Sequence, residues 1–306
     1  MDTSSRDAFQ RKTADLESIL ATRRTFLKSG AALLVAGLAG DAAAWEPGCP
    51  RVTYLDLPLK RLSPAWNGLR IVQLSDFHYD PYFSVTPIRH AVEIVQKLQP
   101  DLIVLTGDFI TETQDSRWVF SRRQKTEYVR LCAELLARMH SRLGLFAIMG
   151  NHDVKFGADT VIDSLESNGI HVLRNSSIPL EQNGTRLWLA GVDDVLEGKA
   201  DLDKSLQQIP KGEPVILLAH EPDYVLESAQ SGVDLQLSGH SHGGQIRIPL
   251  LGAPYLPELG RKYPMGSYQI KDTRLYTNVG LGTITLPFRF DCRAEITLFT
   301  LRSASA

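Results

Sequence analysis

The chain contains eight histidines, and five of them lie in short polar motifs that also hold carboxylates or an amide. Asp76 and His78 are separated by one residue, and so are His240 and His242. Residues two apart in an extended segment project to the same side, so each pair can face one cavity. Carboxylates and imidazoles that share a cavity can bind metal ions or transfer protons. The other motifs are Gly107-Asp108, Gly150-Asn151-His152-Asp153 and His220-Glu221.

These residue types predict a metal centre rather than a thiol-based site. Carboxylate, imidazole and amide donors without a thiolate suit divalent ions such as Mn²⁺, Fe²⁺ and Zn²⁺. Seven candidate ligands are too many for one tetrahedral zinc, but they fit two ions about 3.5–4 Å apart that share a carboxylate. Such ions lower the pKa of water from 15.7 to about 7 in the favourable case, which makes hydroxide available near neutral pH. The candidates are Asp76, His78, Asp108, Asn151, His220, His240 and His242.

The elements that must position these residues are predicted strands, each ending in one of the motifs. Short apolar runs predict buried strands, and apolar residues at helical spacing predict helices between the early ones, ending at Pro100 and near Met139. This βαβαβ order indicates an α/β protein with a mostly parallel sheet, whose ligands bind at the carboxyl ends of the strands. Two late strands with no helix between them, at 274–278 and 294–301, suggest a second, antiparallel layer. The motif-bearing strands are predicted at 70–75, 102–106, 145–149, 214–219 and 234–238.

In their order along the chain, the motifs D-x-H, G-D, G-N-H-D, a histidine after a strand, and G-H-x-H resemble the calcineurin-like metallophosphoesterase superfamily. The resemblance covers residues 70–245 and implies a two-layer central β-sandwich of mixed sheets flanked by helices. It implies a catalytic His152 beside the metals, acting as general acid or transition-state stabiliser. It further implies one metal on Asp76, His78 and His242, a second on Asn151, His220 and His240, and Asp108 as the bridge between them.

The resemblance implies hydrolysis of a phosphodiester, pyrophosphate or phosphomonoester by attack of a metal-bound hydroxide. The stretches LAHEPD and SGHSHGGQ are similar to exported or membrane-associated bacterial members, which makes lipid-linked substrates at the cell envelope an expectation. The alternative is a binding module that has kept the fold and lost turnover. Members of that kind lose a ligand or the catalytic histidine, whereas every position is filled here.

One position departs from the family pattern. Many family phosphatases carry an acid shortly after G-D that orients the catalytic histidine, but Phe109, Ile110 and Thr111 follow Asp108 here. We therefore expect Asp153 or the metals to orient His152.

Composition limits the other interpretations. Lys and Arg total 33 against 35 Asp and Glu, so the formal charge of −2 provides no basic excess for binding nucleic acid. Three cysteines are too few for a disulfide scaffold, and the sequence leaves open whether Cys49 and Cys292 pair. A solvated turn at Asp193-Asp194 and a surface position for Arg289 are the simplest expectations for those residues.

Residues 1–44 are predicted to be a twin-arginine signal peptide, followed by a metallophosphoesterase domain at 45–306. Arg23-Arg24 precedes the uncharged run Ser29–Gly40, and Ala42-Ala43-Ala44 offers a cleavage site. We expect the export machinery to be a partner and the location to be the periplasm or the outer face of the cytoplasmic membrane. The sequence leaves open whether the segment is cleaved or stays as an anchor.

The segment 246–265 is unusually rich in proline, leucine and aromatic residues for a position directly after a polar motif. One interpretation is a loop that packs on the domain. The other is an apolar lip that contacts a lipid-like substrate or the membrane surface, with Arg261 and Lys262 suited to anionic head groups.

Overall fold

The computed structural model describes residues 40–112 and 121–304, with Lys28, Ser29 and Gly37 as isolated positions before them. The predicted signal peptide at 1–44 therefore lies almost wholly outside the described residues, and the division at residue 45 stays a prediction. Among the described residues, no helix combines the length and the apolar character needed to span a membrane. Cys49, Cys132 and Cys292 are free thiols.

Twelve strands make up the described sheets. They are β1 (Arg51–Leu59), β2 (Arg70–Leu74), β3 (Leu102–Leu105), β4 (Leu145–Ala147), β5 (His171–Val172), β6 (Ser176–Gln182), β7 (Thr185–Gly191), β8 (Val215–Leu218), β9 (Leu235–Ser238), β10 (Gly266–Ile270), β11 (Thr273–Thr277) and β12 (Glu295–Ser303).

Three described helices are longer than ten residues: α1 (Val85–Leu98), α2 (Arg122–Leu136) and α3 (Asn151–Glu166). The side chains of Ser121 and Gln124 cap the start of α2 reciprocally, and α3 bends at Gly157. Shorter helical segments lie at Asp41–Trp45, Glu46–Gly48, Pro64–Trp66, Leu202–Leu206, Pro222–Tyr224, Val225–Ser228 and His242–Gly244.

The strands form two mixed six-stranded sheets, which confirms the predicted fold class. The first sheet has the order β1-β12-β2-β3-β4-β5 and is parallel except where β12 meets β2. The second has the order β10-β11-β9-β8-β7-β6, with a parallel centre and antiparallel pairs at both edges. The expectation that the late strands form their own antiparallel layer was wrong. β11 joins the second sheet, and β12 inserts between β1 and β2 of the first.

The core follows the two-residue period of the strands. Ile71 of β2 packs in a cluster with Ile216 and Leu237 of the second sheet, so this face lies between the sheets. Its neighbour Val72 faces the other way, into a cluster with the helices α1, α2 and α3. Trp188, on the outer face of the second sheet, packs with the short helical segments beside it. The molecule is therefore layered as helices, sheet, sheet and short helices.

Candidate metal centre

The polar motifs meet where strands of both sheets end. Beyond β2, the backbone N–H groups of Phe77 and His78 donate to the carbonyl of Asp108, at 2.8 and 3.0 Å. The backbone N–H of His240 donates to both carboxylate oxygens of Asp76, at 3.0 and 3.1 Å, and so joins the two sheets at this point. All eight predicted site residues are buried here.

The backbone at this centre is strained. Left-handed φ values cost non-glycine residues on the order of 1–3 kcal/mol each and tend to mark functional sites. A Cβ on Gly150 would also lie 2.3 Å from Asp108 Oδ1, so only glycine allows this approach. Five candidate ligands have φ between 41° and 69°, namely Asp76, His78, Asp108, His240 and His242.

One cluster consists of Asp76, His78 and His242, whose ligand atoms all lie within 4.8 Å of one another. The Nε2 atoms of the two histidines are 3.0 Å apart, and His242 Nε2 is 3.4 Å from Asp76 Oδ1. Burial lowers the pKa of His78 to about 3 and holds that of His242 well below its ordinary value. Both imidazoles are thus neutral, the form in which histidine binds metal ions.

A second cluster consists of Asp108, His220 and His240, again within 4.8 Å. His240 Nδ1 lies 3.1 Å from Asn151 Oδ1, so the asparagine joins this group. Asp108 Oδ2 is 3.2 Å from His220 Nε2 and 3.5 Å from His78 Nε2 of the first cluster. Asp108 therefore stands between the two clusters, as expected of a bridge.

The hydrogen bonds made by the other ring nitrogens of His220 and His240 fit metal ligation. Nδ1 of His220 donates to the carbonyl of Thr106 at 2.6 Å, which leaves Nε2 as a lone-pair donor. That Nε2 is buried and has no hydrogen-bond partner among the described residues. In the same way Nε2 of His240 donates to the carbonyl of Glu258 at 2.7 Å, so its Nδ1 and Asn151 Oδ1 face each other as two acceptors.

Charge at the second cluster also suits a cation. Burial opposes the charged form of His220, but its attraction to Asp108 prevails and holds the pKa of His220 well above its ordinary value. Burial likewise opposes ionisation of Asp108, yet His220 and His152 hold its pKa well below the ordinary range. An ionised carboxylate beside buried imidazoles is a site for a divalent ion, which would take the place of the proton that His220 holds in the metal-free chain.

The acid that orients His152 is Glu112, which the sequence reasoning missed. Glu112 Oε2 contacts His152 Nδ1, and both side chains are buried. The loop is held in place because Lys125 Nζ donates to the carbonyl of Glu112 at 2.7 Å. Burial opposes the charged form of His152, but Asp108 and Glu112 together raise its pKa. Nδ1 is engaged by Glu112, so Nε2 is the nitrogen that can exchange a proton.

Asp153 has a different role from the one expected. Its two carboxylate oxygens accept hydrogen bonds from four backbone N–H groups at 2.8–3.2 Å, and these belong to Asp108, Phe109, Ile110 and Gly150. Asp153 thus fixes the loops that carry the bridge and the catalytic histidine, and it does not orient His152. The expectation was wrong because it considered only the three residues after Asp108, whereas the orienting acid is the fourth.

We predict that Glu112→Gln lowers turnover by about 10–100-fold with little change in metal content, because groups that orient site residues contribute on this scale. An amide at this position keeps the size of the side chain but loses the charge that favours protonated His152. The measurement is the rate with p-nitrophenyl esters together with metal analysis. Glu134→Gln, on the exposed side of α2, is the matched control. A normal rate in Glu112→Gln would exclude an orienting role.

Two further expectations were wrong. Arg289 is fully buried, and its guanidinium donates to the carbonyls of Val279, Gly280, Gly282 and Cys292 at 2.6–3.1 Å. This holds the chain segment that packs against Asp76, where the backbone N–H of Gly282 donates to the Asp76 carbonyl at 2.7 Å.

Asp193 and Asp194 are likewise buried rather than solvated. Asp194 lies against the buried Glu221, and burial raises the pKa of both carboxyl groups.

The sequence model of the calcineurin-like phosphoesterase family matches residues 69–244, which is more than half of the chain. The chain belongs to the calcineurin-like phosphoesterase family. It is a metal-dependent phosphoester hydrolase by this membership. The family is dinuclear-metal dependent, and the match spans every predicted site residue.

Relatives among calcineurin-like phosphoesterases align over nearly the whole chain. The metallophosphoesterase YkuE of Bacillus subtilis is 35% identical over 93% of this chain and 99% of its own length. The phosphodiesterase YaeI of Escherichia coli is 29% identical over 92% of this chain and 99% of its own. The crystal structure of the calcineurin-like phosphoesterase YfkN from Bacillus subtilis superimposes with a TM-score of 0.44 and 16% identity, over 70% of this chain and 81% of that one.

Proposed function

We propose that the protein is a dinuclear-metal phosphodiesterase. The observation that carries the proposal is the pair of buried three-residue clusters with Asp108 standing between them. The similarity to the phosphodiesterase YaeI supports diesters as the first substrate class to test. Pyrophosphates and monoesters are the next candidates, and a lipid-linked diester is the finer form of the proposal.

In this proposal each side chain has a defined task. Asp76, His78 and His242 would hold one ion, and Asn151, His220 and His240 would hold the other. Asp108 would bind both, and it is kept in place because its Oδ1 accepts a hydrogen bond from the backbone N–H of His152 at 3.0 Å. Two divalent ions (Mn²⁺, Fe²⁺ or Zn²⁺) would supply Lewis acidity toward the phosphate and lower the pKa of water. His152, oriented by Glu112, protonates the leaving oxygen through Nε2.

The test combines metal analysis of the purified chain with rates on bis-(p-nitrophenyl) phosphate and p-nitrophenyl phosphate. We expect two divalent ions per chain, faster hydrolysis of the diester, and loss of activity with a chelator that is reversed by added metal. A chain that binds two ions and hydrolyses neither ester would favour the binding-module alternative. Faster hydrolysis of the monoester would make phosphomonoesters the substrate class, with the proposed metal centre unchanged.

We propose further that the protein acts outside the cytoplasm, after export of the folded and metal-loaded chain, and that segment 246–265 contacts the membrane. The support for export is the order of features in the sequence: Arg23-Arg24, the uncharged run Ser29–Gly40, and the alanines before Trp45. Proteins carrying twin-arginine signals typically fold before they are exported, which suits a centre assembled from both sheets.

We predict that the double change Arg23→Lys and Arg24→Lys traps the protein in the cytoplasm, because twin-arginine export depends on the arginine pair. The measurement is the distribution of the chain between cytoplasmic and envelope fractions. Arg6→Lys with Arg11→Lys makes the same change outside the motif and is the control. Unchanged delivery of the Arg23/Arg24 variant would show that the export proposal is wrong.

A further inference from the structure

The segment that follows the metal ligand candidates begins with a tight turn that presents two leucines to solvent. Ile248 and Gly252 exchange two backbone hydrogen bonds of 2.8 Å, which close the turn on itself. Leu250 and Leu251 at its tip are 106% and 81% exposed. Apolar surface at a tip that is pinned in this way is unfavourable in water and becomes favourable when it is covered.

Other exposed apolar side chains lie close to the root of this turn. The N–H of Arg247 donates to the carbonyl of Phe290 at 2.8 Å, and the side chain of Gln245 donates to the carbonyl of Leu286 at 2.9 Å. Both contacts join the turn to the neighbouring segment 283–293. We use the name apolar face for the exposed side chains gathered in this region: Trp45, Ile248, Leu250, Leu251, Tyr255 and Leu286.

The N-terminal part of the chain enters the molecule at the same place. The Glu46 carboxylate accepts the backbone N–H groups of Asp291 and Cys292, at 2.9 and 3.1 Å. Trp45, 56% exposed, therefore lies next to the segment that supports the turn. In the sequence it follows closely on the uncharged run Ser29–Gly40. A chain arriving from a membrane would thus reach the folded part at the apolar face.

The basic residues of the segment that carries the turn favour a lipid surface over an apolar protein groove. Segment 246–265 contains Arg247, Arg261 and Lys262 against the single acid Glu258. The guanidinium of Arg293 lies 5.4 Å from the ring centre of Trp45. Exposed leucines, a tryptophan, a tyrosine and basic side chains together are typical of surfaces that dock at the head-group level of anionic bilayers.

The same segment reaches the metal centre. After the turn the segment runs back toward the centre, where the carbonyl of Glu258 accepts a hydrogen bond from Nε2 of His240. Gly260 packs beside that imidazole. We propose that the apolar face docks onto a phospholipid bilayer with anionic head groups, so that the metal centre opens beside the membrane surface. The consequence, which rests on the proposed function, is that the substrate is a phosphodiester or pyrophosphate carried by a lipid.

The first test is sedimentation of the full chain with vesicles of phosphatidylcholine and phosphatidylglycerol, and with vesicles of phosphatidylcholine alone. We expect binding to the anionic vesicles. The double variant Leu250→Ser and Leu251→Ser should lower the affinity at least about tenfold, because two leucines lose their burial in lipid. Arg261→Gln with Lys262→Gln should lower it by about fivefold per charge, and only on anionic vesicles. Tyr54→Ser, an exposed aromatic on the edge strand β1, is the matched control.

A second readout separates the turn from any binding by the N-terminal run. In the Leu250→Trp variant, brominated lipid should quench the tryptophan fluorescence more than it does in the parent chain. In the Tyr54→Trp variant it should cause no added quenching. Absence of added quenching at position 250, or equal vesicle affinity of the leucine variant and the parent chain, would overturn the proposal. A leucine variant that changes only the oligomeric state would assign the face to a second copy of the chain.

Failure of this proposal and failure of the proposed function give different results. Hydrolysis of soluble bis-(p-nitrophenyl) phosphate should be the same in the leucine variant and the parent chain. If the parent chain does not hydrolyse this ester, the phosphodiesterase proposal is wrong, whereas vesicle binding would be unaffected.

Discussion

Asp108→Asn is expected to lose at least one metal ion and nearly all hydrolysis. Asp108 Oδ2 faces His78 of one cluster and His220 of the other, so the carboxylate would supply charge to ions at both. An amide keeps the shape but removes the negative charge that attracts two cations. Metal ions contribute several kcal/mol to transition-state stabilisation, so the rate should fall by about 10³-fold or more. Metal content and turnover are measured on the same preparation.

The control for this change is Asp163→Asn, an exposed position on α3. Thermal unfolding of the metal-free chains shows whether the fold survives, because Asp108 also accepts the backbone N–H of His152. An Asp108→Asn variant that keeps two ions per chain and a normal rate would end the assignment of the bridge.

His152→Ala is expected to keep both ions and to lose about 10²–10⁴-fold in turnover, the usual contribution of a positioned acid or base. The loss should shrink for esters with good leaving groups, since p-nitrophenolate needs little protonation. A residue that only stabilises charge on phosphorus would give a similar loss for every leaving group. Rates on a series of aryl esters of rising leaving-group pKa distinguish the two roles.

Metal analysis of His152→Ala tests a third role. The ligand atoms of His78, Asp108 and His152 also lie within 4.8 Å of one another, which is close enough for His152 to bind metal. A metal-depleted variant would therefore make His152 a ligand. His140→Ala, an exposed histidine that follows α2, provides the matched control. Glu112→Gln should show the same leaving-group dependence as His152→Ala if Glu112 acts through the imidazole.

The meeting of the candidate ligands could be predicted because each follows a buried strand, and strand ends are readable from local sequence. Short, mostly apolar runs precede Asp76, Asp108 and His220, and within each sheet the parallel strands bring their carboxyl ends to one edge. The spacing of His240 and His242 likewise places both residues in one turn after β9. None of these inferences needs knowledge of which strand pairs with which.

The parts that could not be predicted depend on contacts between segments far apart in the chain. Glu112 meets His152 because the loop after β3 is held by Lys125, 13 residues further along the chain. Arg289 is buried because carbonyl groups from the segment 279–282 converge on its guanidinium. From sequence alone, a charged residue at either position is assigned to the surface, because the groups that bind it in the interior are not evident.

The insertion of β12 between β1 and β2 has a consequence for biosynthesis. The ribosome must release residues 295–303 before the first sheet can close, since β12 pairs with β1 on one side and β2 on the other. The segment before β2 and the loop carrying Asp76 therefore stay incomplete throughout translation of the second sheet. The first sheet therefore closes only after β12 has emerged, although all the candidate metal ligands, between residues 76 and 242, have emerged before it.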